Sequence, residues 1–172
     1  SKAKKMIAST LRRGILASMV LGTLSMTAYL PLPAQAQDQN STAAVNVDTA
    51  GVGLHGYDPV AYFTVKQPTL GKAMYTHSFE GATYRFASKE NLEKFKANPA
   101  MYAPQFGGFC AMGVALEKKL DGDPQAWRVV DNKLYLNVNK DIQKKWLEDV
   151  PGNIAKAGKT WPEIKNKAPK DL

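Results

Sequence analysis

The sequence predicts a compact α+β domain in which antiparallel β-hairpins pack against two or three helices. Two observations carry this expectation. Twice an apolar run, a tight polar turn and a second apolar run follow one another: Tyr75 to Phe79 and Ala82 to Phe86 around Glu80-Gly81, then Trp127 to Val130 and Leu134 to Val138 around Asp131-Asn132-Lys133. After each pair stands a capping residue, Ser88 and then Asn139, followed by apolar residues at helical spacing.

The chain before these hairpins divides in two. Lys2, Lys4, Lys5, Arg12 and Arg13 precede a mostly apolar Gly14 to Leu30, and Ala34-Gln35-Ala36 reads as a small-residue cleavage site. A secretory signal peptide over residues 1–36 is predicted, with the mature chain starting at Gln37. The apolar run is broken by Ser18, Gly22, Thr23, Ser25 and Thr27, which makes it short for a membrane span. Arg12-Arg13 also resembles a twin-arginine export signal. Residues 37–50 are polar and small with no burying period, and are predicted to be a flexible linker. The domain is expected over residues 51–165, with a C-terminal tail over 166–172.

Within the domain, Gly56-Tyr57-Asp58-Pro59 forms a turn before the apolar Val60-Ala61-Tyr62-Phe63. The helix after Ser88 carries Glu90 in its first turn, is marked by Leu92, Phe95 and Lys96, and is expected to end at Asn98-Pro99. The helix after Asn139 places Ile142, Trp146 and Leu147 on one face, and Pro151 stops or bends it. Asp121-Gly122-Asp123-Pro124 lacks the alternating oxygens and closing Glu of a calcium loop, so it is read as a plain loop. No internal repeat is evident in the sequence.

Charge excludes two classes of partner. The whole chain carries +8, but five of its 23 basic residues lie in the leader, which leaves 18 against 15 acids and a net +3 for the mature chain. That is too little to argue for nucleic acid or an anionic membrane surface. A domain of this size buries a core without disulfides, and one cysteine makes no intrachain bridge.

The chemistry is concentrated in Phe106-Gly107-Gly108-Phe109-Cys110-Ala111-Met112-Gly113. If Gly107 to Gly113 runs extended, Cys110 and Met112 share one face, a thiolate and a thioether suited to a soft ion such as Cu(I). The competing reading makes Cys110 a small buried hydrophobe. His77 shares a strand face with Tyr75 and Phe79, either as a core histidine or as a ligand beside Cys110. His77, Cys110 and Met112 together would form a mixed nitrogen and sulfur site fit for copper. His55, before the Gly-Tyr-Asp-Pro turn, is expected to be exposed.

The motifs together are familiar. Gly56 to Phe63, Tyr84-Arg85-Phe86-Ala87-Ser88, Asn98 to Tyr102, Pro104 to Ala111, Leu134 to Asn137 and the Trp146 to Trp161 tail resemble the exported YHS-domain proteins of bacteria. The resemblance covers Gly51 to Pro162 and implies the fold and an association with metal handling. The metal-binding form of the module carries cysteines where this chain has Ala61, Ala87 and Asn91, so its thiol site does not transfer. An exported metal-associated binding protein, with copper as the metal, is the expected function. An aromatic pocket lined by Tyr57, Asp58, Tyr62, Tyr102 and Phe106 and taking a small ligand or a protein is the alternative. A Cys/His thiol enzyme using Cys110, His77 and Asp58 is a second alternative, although their spacing matches no enzyme signature.

Overall fold

Two left-handed residue pairs set the architecture. Glu80 and Gly81 have φ of 48° and 89°, and Asp131 and Asn132 have φ of 50° and 60°. Positive φ at both centres of a two-residue turn matches the twist of the strands it joins. The computed structural model describes residues 37–172, and the predicted leader over residues 1–36 lies outside the described residues. Each turn closes an antiparallel hairpin: β1 (Lys72–Phe79) with β2 (Ala82–Phe86), and β3 (Asp123–Val130) with β4 (Lys133–Asn137). The α+β architecture of hairpins and helices is therefore present.

The two hairpins are one design used twice. Lys72 pairs with Phe86 as Asp123 pairs with Asn137, His77 with Tyr84 as Arg128 with Tyr135, and the remaining pairings follow at the same constant offset along the chain. Both first strands shift register at the same place, after Lys72 and after Asp123. The side chain of Ser88 caps α2 (Lys89–Ala97) by accepting from Asn91 N–H at 3.1 Å, and Asn139 caps α5 (Lys140–Leu147) from Ile142 N–H at 2.8 Å. Extended caps of this kind satisfy one orphan donor of the first turn.

The correspondence continues outside the hairpins. Leu54, His55 and Gly56 take positive φ, as do Phe106, Gly107 and Gly108 at the matching place before the second hairpin. A short helix then follows in each case, α1 (Ala61–Thr64) and α4 (Ala111–Ala115). Asp58 N–H donates to Thr69 O and Cys110 N–H to Leu120 O. Each unit ends at a cap of unusual backbone, Asn98 (φ −154°, ψ 73°) before α3 (Pro99–Tyr102) and Asp149 (φ −148°, ψ 73°) before α6 (Val150–Ile164). The structure thus overturns the reading that the chain has no internal repeat.

Two further expectations change. Pro151 does not stop a helix; it stands in the first turn of α6, where its missing N–H costs nothing. Gly107 to Gly113 is not extended either. Gln105–Gly108 is a 3₁₀ turn and Cys110 is the N-cap of α4, so the period-two pairing of Cys110 with Met112 does not apply.

Phe95 on α2 and Trp146 on α5 are equivalent, and both are fully buried. Phe95 is ringed by Phe79, Tyr84 and Phe86, and Trp146 meets Tyr135 with ring centroids 5.6 Å apart. Leu134 and Leu136 of the second hairpin enter the first unit's core beside Tyr62 and Phe95, so the units share apolar surface. Among the described residues no helix is long and apolar enough to cross a membrane.

Residues 37–50, expected as a flexible linker, are strapped to the domain. Val45 and Val47 pack on the first core, and Asn46 N–H donates to Gly107 O at 2.8 Å. Lys119, only 2 % exposed, donates its Nζ to Ala43 O, Lys165 O and Lys167 O at 2.7 to 2.9 Å. The tail is held as well: Lys170 N–H reaches Gln39 O, and Leu172 packs with Phe109 and Ile164. The strap is hard to read in the sequence because only Val45 and Val47 dock it by apolar contact, and backbone and amide hydrogen bonds supply the rest.

Candidate functional site

Asp58 is the hub of the first unit. It is wholly buried, and its Oδ1 accepts from Val60 N–H at 2.8 Å and Ala61 N–H at 3.3 Å. Oδ2 accepts from Ala87 N–H and Asn91 Nδ2, both at 2.8 Å. A buried carboxylate is tolerable when donors saturate its oxygens in this way. Ala61, Ala87 and Asn91 are the positions at which the metal-binding form carries its thiols, and the structure brings all three onto Asp58.

Cys110 is the hub of the second unit. It is wholly buried, its Sγ accepts from Gly113 N–H at 3.3 Å and donates to Asn137 Oδ1 at 3.6 Å. Burial pushes its thiol pKa up, while the N–H groups of Gly113, Val138 and Met112 pull in the opposite direction. Gly113, Val138 and Met112 hold the places that Ala61, Ala87 and Val60 hold around Asp58. Met112 N–H also donates to Asn137 Oδ1 at 3.3 Å, so the Cys110 thiol and the Met112 backbone share one acceptor.

His77 is not brought to them. It lies half-buried on β1, its ring 6.0 Å from that of Phe95. Among the described residues no group of three or more His, Cys, Asp and Glu could hold a metal ion. Among the described residues no hydrogen bond joins Cys110, His77 and Asp58 to one another. His55, expected exposed, is half-buried, and its Nε2 lies 2.8 Å from Asp121 Oδ1. That hydrogen bond raises its pKa against the opposing effect of burial.

The predicted pocket residues scatter. Tyr62 is buried and donates its hydroxyl to Pro124 O at 2.9 Å, tying α1 to β3. Tyr57 accepts from Gln125 Nε2 at 3.4 Å, and Tyr102 stacks edge-on to Phe63. Asp58 is enclosed as described. Phe106 alone of the five lines a substantial opening, a groove of about 440 Å³. Its other walls are Phe79 and Tyr84 from the first hairpin, Pro104, Val45 of the strap, and Trp161 of α6. Phe106 sits at φ 54° with its ring 5.8 Å from that of Trp161. A non-glycine residue there is held by its surroundings. Gly107 is obligatory beside it, since a Cβ would collide with Ala44 O.

Sequence reasoning missed Phe79, Tyr84 and Trp161 as groove residues. Their aromatic character is visible, but the strap and α6 that close the groove come from opposite ends of the domain. No local pattern announces such a junction.

YHS domains are generally associated with metal handling. No curated protein and no solved structure matches the chain. A family model does, that of the YHS domain, and its match ends at Phe106, where the second unit begins. Residues 58–106 of this chain match the YHS domain model.

Proposed function

We propose that the protein is an exported binding protein of YHS type, and that it holds a small organic ligand in the groove around Phe106. The observation that carries this reading is the groove itself. Its volume falls in the range of ligand pockets, about 300–1,000 Å³, and aromatic walls converge with polar groups at its rim. The loss of thiols at Ala61, Ala87 and Asn91 argues the same way, because the family's metal ligands are absent while the fold is kept. Chemical-shift mapping with a set of small organic compounds tests it. Perturbations gathered on Phe79, Tyr84, Phe106 and Trp161 are expected; scattered ones would defeat the reading. Export is tested by cell fractionation and N-terminal sequencing, with Gln37 expected as the first residue.

One observation favours a second reading, the handling of a soft metal ion such as copper. Cys110, the one thiol of the chain, is aimed at the Asn137 side-chain oxygen that also takes the Met112 backbone N–H, and a thiol is a soft donor. Metal would have to open the start of α4 and displace the thiol proton. A Cu(I) competition titration decides: wild type must bind, Cys110→Ser must not, and His77→Ala must bind like wild type.

A further inference from the structure

The rim of the groove carries one charge of each sign. Glu80 stands on the turn between β1 and β2, and Lys165 stands at the C-terminal end of α6. Both are exposed, and the ion pairs among the described residues are His55–Asp121 and Lys96–Glu93, so neither rim charge is neutralised by a protein partner. Phe79, Phe106 and Trp161 line the same groove. The Tyr84 ring is 2 % exposed and its hydroxyl hydrogen-bonds to no described residue, although it lines the same opening. Burial and the Glu80 charge both raise the Tyr84 pKa, so that hydroxyl keeps its proton and can donate.

We propose that the groove takes a small zwitterion with an aromatic body, of the class of a free aromatic amino acid. This rests on the groove being the binding site and names its ligand class. An ammonium group would lie toward Glu80 and the faces of the aromatic rings, which attract cations. A carboxylate would lie toward Lys165, and the aromatic body would lie against the contacting Phe106 and Trp161 rings in offset or edge-on contact. A ligand carrying only one of the two charges leaves the other rim residue unanswered, which is how such a site discriminates.

The test is titration of the full chain with L-phenylalanine, followed by amide chemical shifts, beside phenethylamine, which lacks the carboxylate, and hydrocinnamate, which lacks the ammonium. L-phenylalanine is expected to shift Phe79, Phe106 and Gly107, and each truncated analogue to bind about tenfold or more weakly. Glu80→Gln should remove the preference over hydrocinnamate, and Lys165→Met the preference over phenethylamine. Both positions are exposed, and neither side chain makes a hydrogen bond or ion pair with a described residue, so both variants are expected to fold. Equal binding of all three compounds at the groove would overturn the zwitterion and leave the groove standing. Shifts elsewhere, or none, would overturn both.

Discussion

Asp58 and Cys110 occupy the same place in two successive units of one fold. Each precedes a short helix, and each sends its backbone N–H across a loop, Asp58 to Thr69 O and Cys110 to Leu120 O. The Asp58 carboxylate faces the N–H groups of Val60, Ala61 and Ala87, and the Cys110 sulfur faces those of Met112, Gly113 and Val138. The first unit places a carboxyl side chain in this cradle and the second a thiol. The two hubs therefore differ in how much of the fold depends on them.

Asp58→Ala is expected to cost about 3–5 kcal/mol, because three buried backbone N–H groups and the Asn91 amide lose their acceptor together. Cys110→Ala removes one small side chain and weak sulfur contacts, and should cost about 1–2 kcal/mol. Urea denaturation of both variants checks the ratio. Equal losses would show that the cradle is not what makes Asp58 necessary.

The thiol should be chemically silent in the folded protein. Cys110 is fully buried and its pKa is pushed up, which lowers both access and thiolate fraction. Labelling by a bulky thiol reagent at neutral pH is expected to be at least about 100-fold slower than in urea, limited by opening of α4. Fast native labelling would mean that the start of α4 opens freely.

Lys119 joins strap, loop and tail through a single ammonium group, with the Phe109 ring 4.9 Å away as its remaining partner. Lys119→Met leaves three carbonyls without their donor but also removes a desolvated charge, so the net loss should be about 2–4 kcal/mol. Hydrogen exchange supplies the specific signature: Asn46 and Lys170 N–H should lose protection together, while the hairpin amides keep theirs.

The indole Nε1 of Trp146 is a fully enclosed side-chain donor without a partner among the described residues. The equivalent position of the first unit holds Phe95. Trp146→Phe is therefore expected to lose some packing but no hydrogen bond, with a net change within about 1 kcal/mol. A thermal melt far below wild type would show that the indole N–H is satisfied in solution, for instance by water.

Legibility in the sequence follows from locality. Both hairpin turns and the side-chain caps of α2 and α5 are readable, because Glu80-Gly81, Asp131-Asn132, Ser88 and Asn139 act within a few residues. The repeat is not readable: Phe86 answers to Asn137 and Asp58 to Cys110, so backbone geometry is kept where side-chain chemistry is not. Cys110 escapes placement because Gly107 and Gly108 take positive φ and turn the chain into α4, where alternation alone suggests an extended run. His77 does lie on the half-buried face of its strand, but no periodicity can say that its neighbour is Phe95.

The His55–Asp121 contact makes stability depend on pH in a stated direction. Asp121 accepts from His55 Nε2 and also from Asn46 Nδ2, so it links the Leu54–Gly56 turn, the strap and the loop before β3. The pKa of His55 is raised above its ordinary value of 6.5, chiefly by that hydrogen bond. The stabilisation is therefore full below about pH 6.5, the unfolded value, and is lost as pH rises through the higher folded value. Both side chains keep part of their surface in water, which limits the contribution to about 1 kcal/mol or less. His55 has φ 51°, so asparagine is the fitting replacement: it tolerates that backbone and does not titrate. The melting temperature of wild type should exceed that of His55→Asn at pH 5.5, and the gap should narrow by pH 8.5. A gap that stays constant or widens would mean that the imidazolium is not what the pair stabilises.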